Sequence, residues 1–220
     1  MVCQGGNFAK VFGRFSLVDF IFIILFFSSC ENKETLPYYN TADFTPLWDI
    51  DTLKNPIHRI AEFSFTDQDN RLVTNKTFDG KIYVANFFFT SCPSICPRMT
   101  DNLKFVADQF KINKDVMFIS HSVTPWIDSV KQLNQFASQH NIQSSQWHLV
   151  TGRKEEINSL ARRSYFAEEE MGLTKDSAGF VHTEHCLLID RERRIRGVYN
   201  GTLPLELERL AEDIKVLIQE

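Results

Sequence analysis

The sequence predicts an α/β sandwich, with helices on both faces of a mixed central sheet. Three observations carry this. Residues 82–89 and 116–120 are nearly continuous apolar runs, as strands buried on both faces require. Stretches of helical periodicity alternate with them. Two short strand pairs, turning at residues 67–70 and 190–194, frame that alternating core.

The chain has 220 residues, 43% hydrophobic and 24% charged, which suits one domain with its own core. A net charge of -4 gives no basic footprint for nucleic acid. Residues 1–29 read as an export signal. Lys10 and Arg14 make a weakly basic start, and residues 20–27 are an unbroken apolar run, too short to span a membrane as a mature helix. Asp19 at the edge of that run is atypical. Phe27-Ser28-Ser29-Cys30 resembles a bacterial lipobox, which implies a lipid on Cys30 and a domain held at a membrane outside the cytoplasm. The alternative is an ordinary secretory signal with an incidental cysteine. Residues 30–56 read as a tether, punctuated by Pro37, Pro46 and Pro56 and lacking periodicity. The folded domain is expected over residues 57–220.

Within it, residues 60–65 and 72–73 flank Asp67-Gln68-Asp69-Asn70 as a hairpin. A strand at 82–89 leads into a cysteine-bearing loop and a helix over 97–110. A strand at 116–120 follows, then a helix over 128–140 with Val130, Leu133 and Ala137 on one stripe. Residues 147–150 form a strand, 154–165 a helix and 167–180 a polar loop. Strands at 186–189 and 195–199 make the second hairpin. Leu207, Leu210, Ile214 and Leu217 mark a C-terminal helix.

Chemistry concentrates in Phe87-Phe88-Phe89-Thr90-Ser91-Cys92-Pro93-Ser94-Ile95-Cys96-Pro97-Arg98-Met99. At a helix start, positions i and i+4 share one face, so both sulfurs can address one point. A cysteine pair after a central strand and opening a helix fits a thioredoxin-like arrangement, where the helix dipole favours the thiolate. Three readings compete: a structural disulfide, a redox dithiol and a soft-metal site. So short a loop gains little from a disulfide. The redox reading lacks the cis-proline that thioredoxins place opposite the pair, since no proline lies between Pro125 and Pro204. Two thiolates leave a structural zinc site incomplete, but they suit Cu(I), which accepts two or three soft ligands. His182 and His185 are the candidates for a third ligand.

The cysteine segment closely resembles the signature of the Sco (SenC) family, thioredoxin-like copper chaperones for cytochrome c oxidase assembly. His182-Thr183-Glu184-His185-Cys186-Leu187-Leu188-Ile189-Asp190 resembles the family's histidine segment, and Tyr199-Asn200-Gly201 the close of its last hairpin. The resemblance covers about residues 58–219. It implies copper, as Cu(I) or Cu(II), held by Cys92, Cys96 and His182, with a Cys92–Cys96 disulfide as the oxidised form. It also implies delivery to the binuclear copper site of an oxidase subunit, with a thiol reductase or a second copper chaperone as further partners. Ser122-Val123-Thr124-Pro125-Trp126-Ile127-Asp128 falls where the family has Val-Asp-Pro-x-x-Asp. Asp128 matches the second acid, and Thr124 replaces the first.

Other residues get plainer roles. His185, three positions after His182, would face the opposite side of an extended segment; it and Asp128 are auxiliary candidates. Cys186, among Leu187, Leu188 and Ile189, reads as a buried inert thiol. Met99 reads as packing, and Glu168-Glu169-Glu170 as a solvated loop; His121, at a strand end, reads as a polar loop residue, with a place near the site edge as the alternative. The competing function is a membrane-anchored thiol-disulfide reductase using the same pair. A peroxidase using Arg98 is a distant third.

Overall fold

The computed structural model describes residues 35–48, 56–167 and 183–220. Residues 1–29, read above as an export signal, lie outside them, as do Cys30, His182 and the Glu168–Glu170 run. Among the described residues nine strands form one sheet: β1 (Tyr38–Tyr39), β2 (Pro46–Leu47), β3 (Ser64–Asp67), β4 (Leu72–Thr74), β5 (Ile82–Phe88), β6 (Val116–Ser122), β7 (Trp147–Thr151), β8 (His185–Ile189) and β9 (Ile195–Asn200). The helices are α1 (Ile95–Gln109), α2 (Val130–Gln139), α3 (Lys154–Arg163) and α4 (Pro204–Gln219), with a 3-10 turn at Asn75–Phe78. None of the described helices is long and apolar enough to cross a membrane.

The spatial order is β2-β1-β9-β8-β5-β6-β7-β3-β4. β5, β6 and β7 run parallel, and every other pairing is antiparallel, so the sheet is mixed as expected. β5 lies between β6 and β8, and all seven of its residues are buried, which is why its sequence does not alternate. One face carries Ile82, Val84 and Phe88 under α1, α2 and α4. The other carries Tyr83, Ala85 and Phe87 against the β3–β4 hairpin and α3.

Both hairpin turns are built by an aspartate. Asp67 Oδ1 accepts from the N–H groups of Asp69 and Arg71 at 2.9 and 2.8 Å, and Asn70 takes the left-handed conformation. Asp190 Oδ1 accepts from Glu192 and Arg194 N–H, both at 2.9 Å, while Arg193 is left-handed. The second turn therefore closes without glycine.

Two expectations shift. Residues 35–48, read as tether, contribute β1 and β2, and Tyr39 pairs with Ile195 at the sheet edge. Buried Arg196 holds this segment: it donates to the Leu36 and Pro37 carbonyls at 2.8 and 3.1 Å. It also forks onto Glu220 at 2.6 and 2.9 Å and lies over the Tyr38 ring. Two-residue strands have no period to detect, so the tertiary clamp was invisible in sequence. Helix α1 also begins before Pro97, at Ile95. Proline fits a first turn, where the N–H it lacks would have no partner.

Candidate metal centre

Cys92 precedes α1 and Cys96 is its second residue. Ser94 occupies the N-cap position but makes no side-chain cap. The Cys92 sulfur takes that place, accepting the Cys96 N–H at 3.3 Å. The two thiols thus share one helix start, as their spacing suggested, and with Cys186 they are free thiols.

Their environments differ. Cys92 is half-buried and Cys96 is buried. Burial pushes the Cys92 thiol up, but the N–H groups of Cys96, Ser94 and Ile95 turned to its sulfur outweigh that and hold its pKa below the usual thiol value. Cys96 is pushed up to about 12, chiefly by burial; the backbone of Phe89 acts the other way, and the charges of Cys92 and Asp128 add to the rise. Cys92 is therefore the more readily deprotonated of the two, while Cys96 keeps its proton.

The loop after β6 faces this site. Asp128 is fully buried. Its carboxylate accepts from Thr90 Oγ1 at 2.5 Å, from Ser122 Oγ at 2.5 Å and from Thr124 Oγ1 at 3.0 Å. It also accepts the Thr90 N–H, at 3.3 and 3.4 Å to its two oxygens. Thr124 thus works with Asp128 rather than standing free as a surface group.

The remaining candidates separate. His185 opens β8 and packs edge-to-face on Phe44, their centroids 5.7 Å apart. Its neighbour Cys186 shares the core of Cys96 and Met99, so alternation turns His185 toward the other face. The structure does not bring His185 to the sulfurs. Cys186 and Met99 are buried packing residues, as read; burial raises the Cys186 thiol to about 12. His121 is corrected: it is the last residue but one of β6, buried in the sheet rather than in a polar loop or at the site edge. Its ring is fully buried among Phe63, Phe65, Phe87 and Tyr165 on the face away from Cys96, and neither ring nitrogen has a hydrogen-bond partner. Arg98 is exposed on α1.

Among the described residues no three His, Cys, Asp or Glu side chains gather as a metal cluster. The donor set there is the two sulfurs, soft and close, which fits Cu(I) and not a closed zinc site. Thr90 and Ser122 were missed as site residues. Their signal was short hydroxyl side chains flanking the cysteine loop and the Asp128 loop.

A thioredoxin-like domain with paired thiols at a helix start is the class that this fold and site define. The SCO1/SenC family model matches residues 52–219, and the chain belongs to that family. It is 30% identical over 166 residues to the SCO1 protein homolog of Bacillus subtilis, covering 74% of this chain and 85% of that one. The crystal structure of a SCO1/SenC family lipoprotein from Bacillus anthracis superposes with a TM-score of 0.64 at 30% identity, over 76% of this chain and 99% of that one. BsSco, described as a Sco family cytochrome c oxidase assembly protein with a disulfide switch, gives 0.63 at 27%, over 76% and 99%. Arabidopsis thaliana ScoI, solved with copper bound, gives 0.56 at 27%, over 73% and 98%.

Proposed function

We propose that this protein is an exported, lipid-anchored copper chaperone that loads the binuclear copper site of a respiratory oxidase subunit. The observation that carries this is the unequal thiol pair, Cys92 and Cys96, at the start of α1. Copper is the cargo. Cys92 and Cys96 supply two soft donors, and His182 supplies the third, as the family's histidine segment implies. The family membership, the copper-bound relative and the oxidase-assembly relative support the reading. A lipid on Cys30 agrees with the lipoprotein relative.

Binding needs both thiols reduced, so oxidation to a Cys92–Cys96 disulfide should empty the protein and a thiol reductase or second copper chaperone should recharge it. The test is copper content and the visible spectrum of the reduced, purified chain, beside Cys92→Ser, Cys96→Ser and His182→Ala. Stoichiometric copper that each variant weakens is expected. An unchanged affinity and spectrum in His182→Ala would overturn the ligand set. Cys30→Ser should move the protein from the membrane fraction to the soluble one.

A second reading draws on the lowered Cys92 pKa beside a protonated Cys96, the arrangement of a thiol-disulfide reductase. Catalytic turnover of a disulfide substrate with no retained copper would favour it.

A further inference from the structure

Asp128 carries two sets of hydrogen bonds that run in different directions. Ser122 Oγ and Thr124 Oγ1 donate to its Oδ2, at 2.5 and 3.0 Å, from the last residue of β6 and from the loop that follows it. That loop is already closed by the Asp128 N–H on the Thr124 carbonyl at 2.9 Å. The second set crosses to a distant part of the chain: Thr90 gives its hydroxyl to Oδ1 at 2.5 Å, and its N–H to both oxygens. Thr90 lies inside the turn that the Cys92 N–H closes on the Phe89 carbonyl at 3.3 Å. Holding Thr90 therefore holds that turn, and the turn sets where the Cys92 sulfur meets the Cys96 N–H.

A carboxylate offers about four lone-pair directions, and these donors use them. Asp128 has no oxygen left to ligate a metal. A buried acceptor whose donors come from both segments is suited to fixing a loop that has no regular structure of its own.

We propose that Asp128 is a positioning residue for the copper thiols, acting through Thr90. It deepens the copper reading above and rests on it only for its copper readout. The chain variants that test it are Thr90→Val, which keeps shape but deletes the hydroxyl, and Thr90→Ser, which restores it. Asn75→Ala is the control. Asn75 bonds the Phe63 N–H and the Ala61 carbonyl on the other side of the sheet, so its loss lowers stability away from the thiols.

Two measurements are made on each: the affinity and thiolate charge-transfer band of the Cu(II) form, and amide hydrogen exchange over residues 90–96 of the metal-free protein. Thr90→Val should shift the band, weaken copper binding about ten-fold and speed exchange in that segment. Thr90→Ser should restore all three. Asn75→Ala should lower the melting temperature and leave them unchanged. The proposal is overturned if Thr90→Val keeps the wild-type band and exchange, or if Asn75→Ala moves them equally. If wild type takes no copper, the copper reading fails alone, and the exchange comparison still decides the role of Asp128.

Discussion

His121 has the least expected surroundings of any histidine described. Its ring sits among four aromatic residues with both nitrogens unpartnered, and burial alone pushes its pKa down to about 3. The folded protein therefore holds this ring neutral, whereas the unfolded chain protonates it near the ordinary 6.5. Its contribution to stability is complete above that value and is lost as pH falls from 6.5 toward 3. Between pH 7 and pH 5 this one residue should cost about 2 kcal/mol. Denaturant titrations at both values should show a shallower loss in His121→Leu than in wild type; equal losses would count against the assignment. The thiols give a second expectation at this scale. In the metal-free reduced protein, alkylation should mark Cys92 first, with Cys96 and Cys186 protected until unfolding, as mass mapping of the labelled peptides would show. Thr124 places a hydroxyl 3.0 Å from Asp128, where an acid would set two buried carboxylates together.

Helix α1 shows how a short motif can state both a fold and a site. Its start has no conventional cap, and the Cys92 sulfur serves instead, so the capping atom is also the proposed ligand. The turn after β9 is fitted just as closely. Gly201 donates its N–H to the Glu184 carbonyl at 2.7 Å, and its own carbonyl accepts from Asn102 of α1 at 3.0 Å. A Cβ there would stand 2.8 Å from Cys186 Sγ and 3.1 Å from the Glu184 carbonyl. Gly201→Ala should therefore cost about 1–3 kcal/mol, read as a lower denaturation midpoint. An unchanged midpoint would mean that the turn relaxes freely. Element types were legible because the period changes cleanly from strand to helix. Their ends moved by a few residues where tertiary partners decided, as at Ile95 and at the Asp128–Ser129 junction. There Ser129 caps α2 by accepting the Gln132 N–H at 3.3 Å.

The sheet as a whole sorts chemistry to one end. β5 and β6 run parallel, so the cysteine loop and the Asp128 loop leave at the same edge. β8 runs against β5 and β9 against β8, so the approach to His185 and the Gly201 turn arrive there too. This convergence could be read from the order of elements once the strand directions were inferred. The cysteine pair was legible for the same reason, its spacing being local. What stayed hidden depended on contacts between distant segments: the Thr90–Asp128 bond, the aromatic box of His121 and the Arg196 clamp. Arg196→Lys keeps the charge but loses the planar fork onto Glu220 and the two carbonyls. It should destabilise by about 1–3 kcal/mol and speed proteolysis in residues 35–48; digestion at the wild-type rate would contradict the clamp. Arg196 stands at the start of β9, the opposite end of the sheet from Cys92. There it gathers the incoming chain at Leu36 and the close of α4 at Glu220 into one knot. A domain gripped through that knot works like a probe on a handle. Fastened to a sensor surface or to a fusion partner through either side of the knot, it would offer its sulfurs at the far tip, clear of whatever holds it.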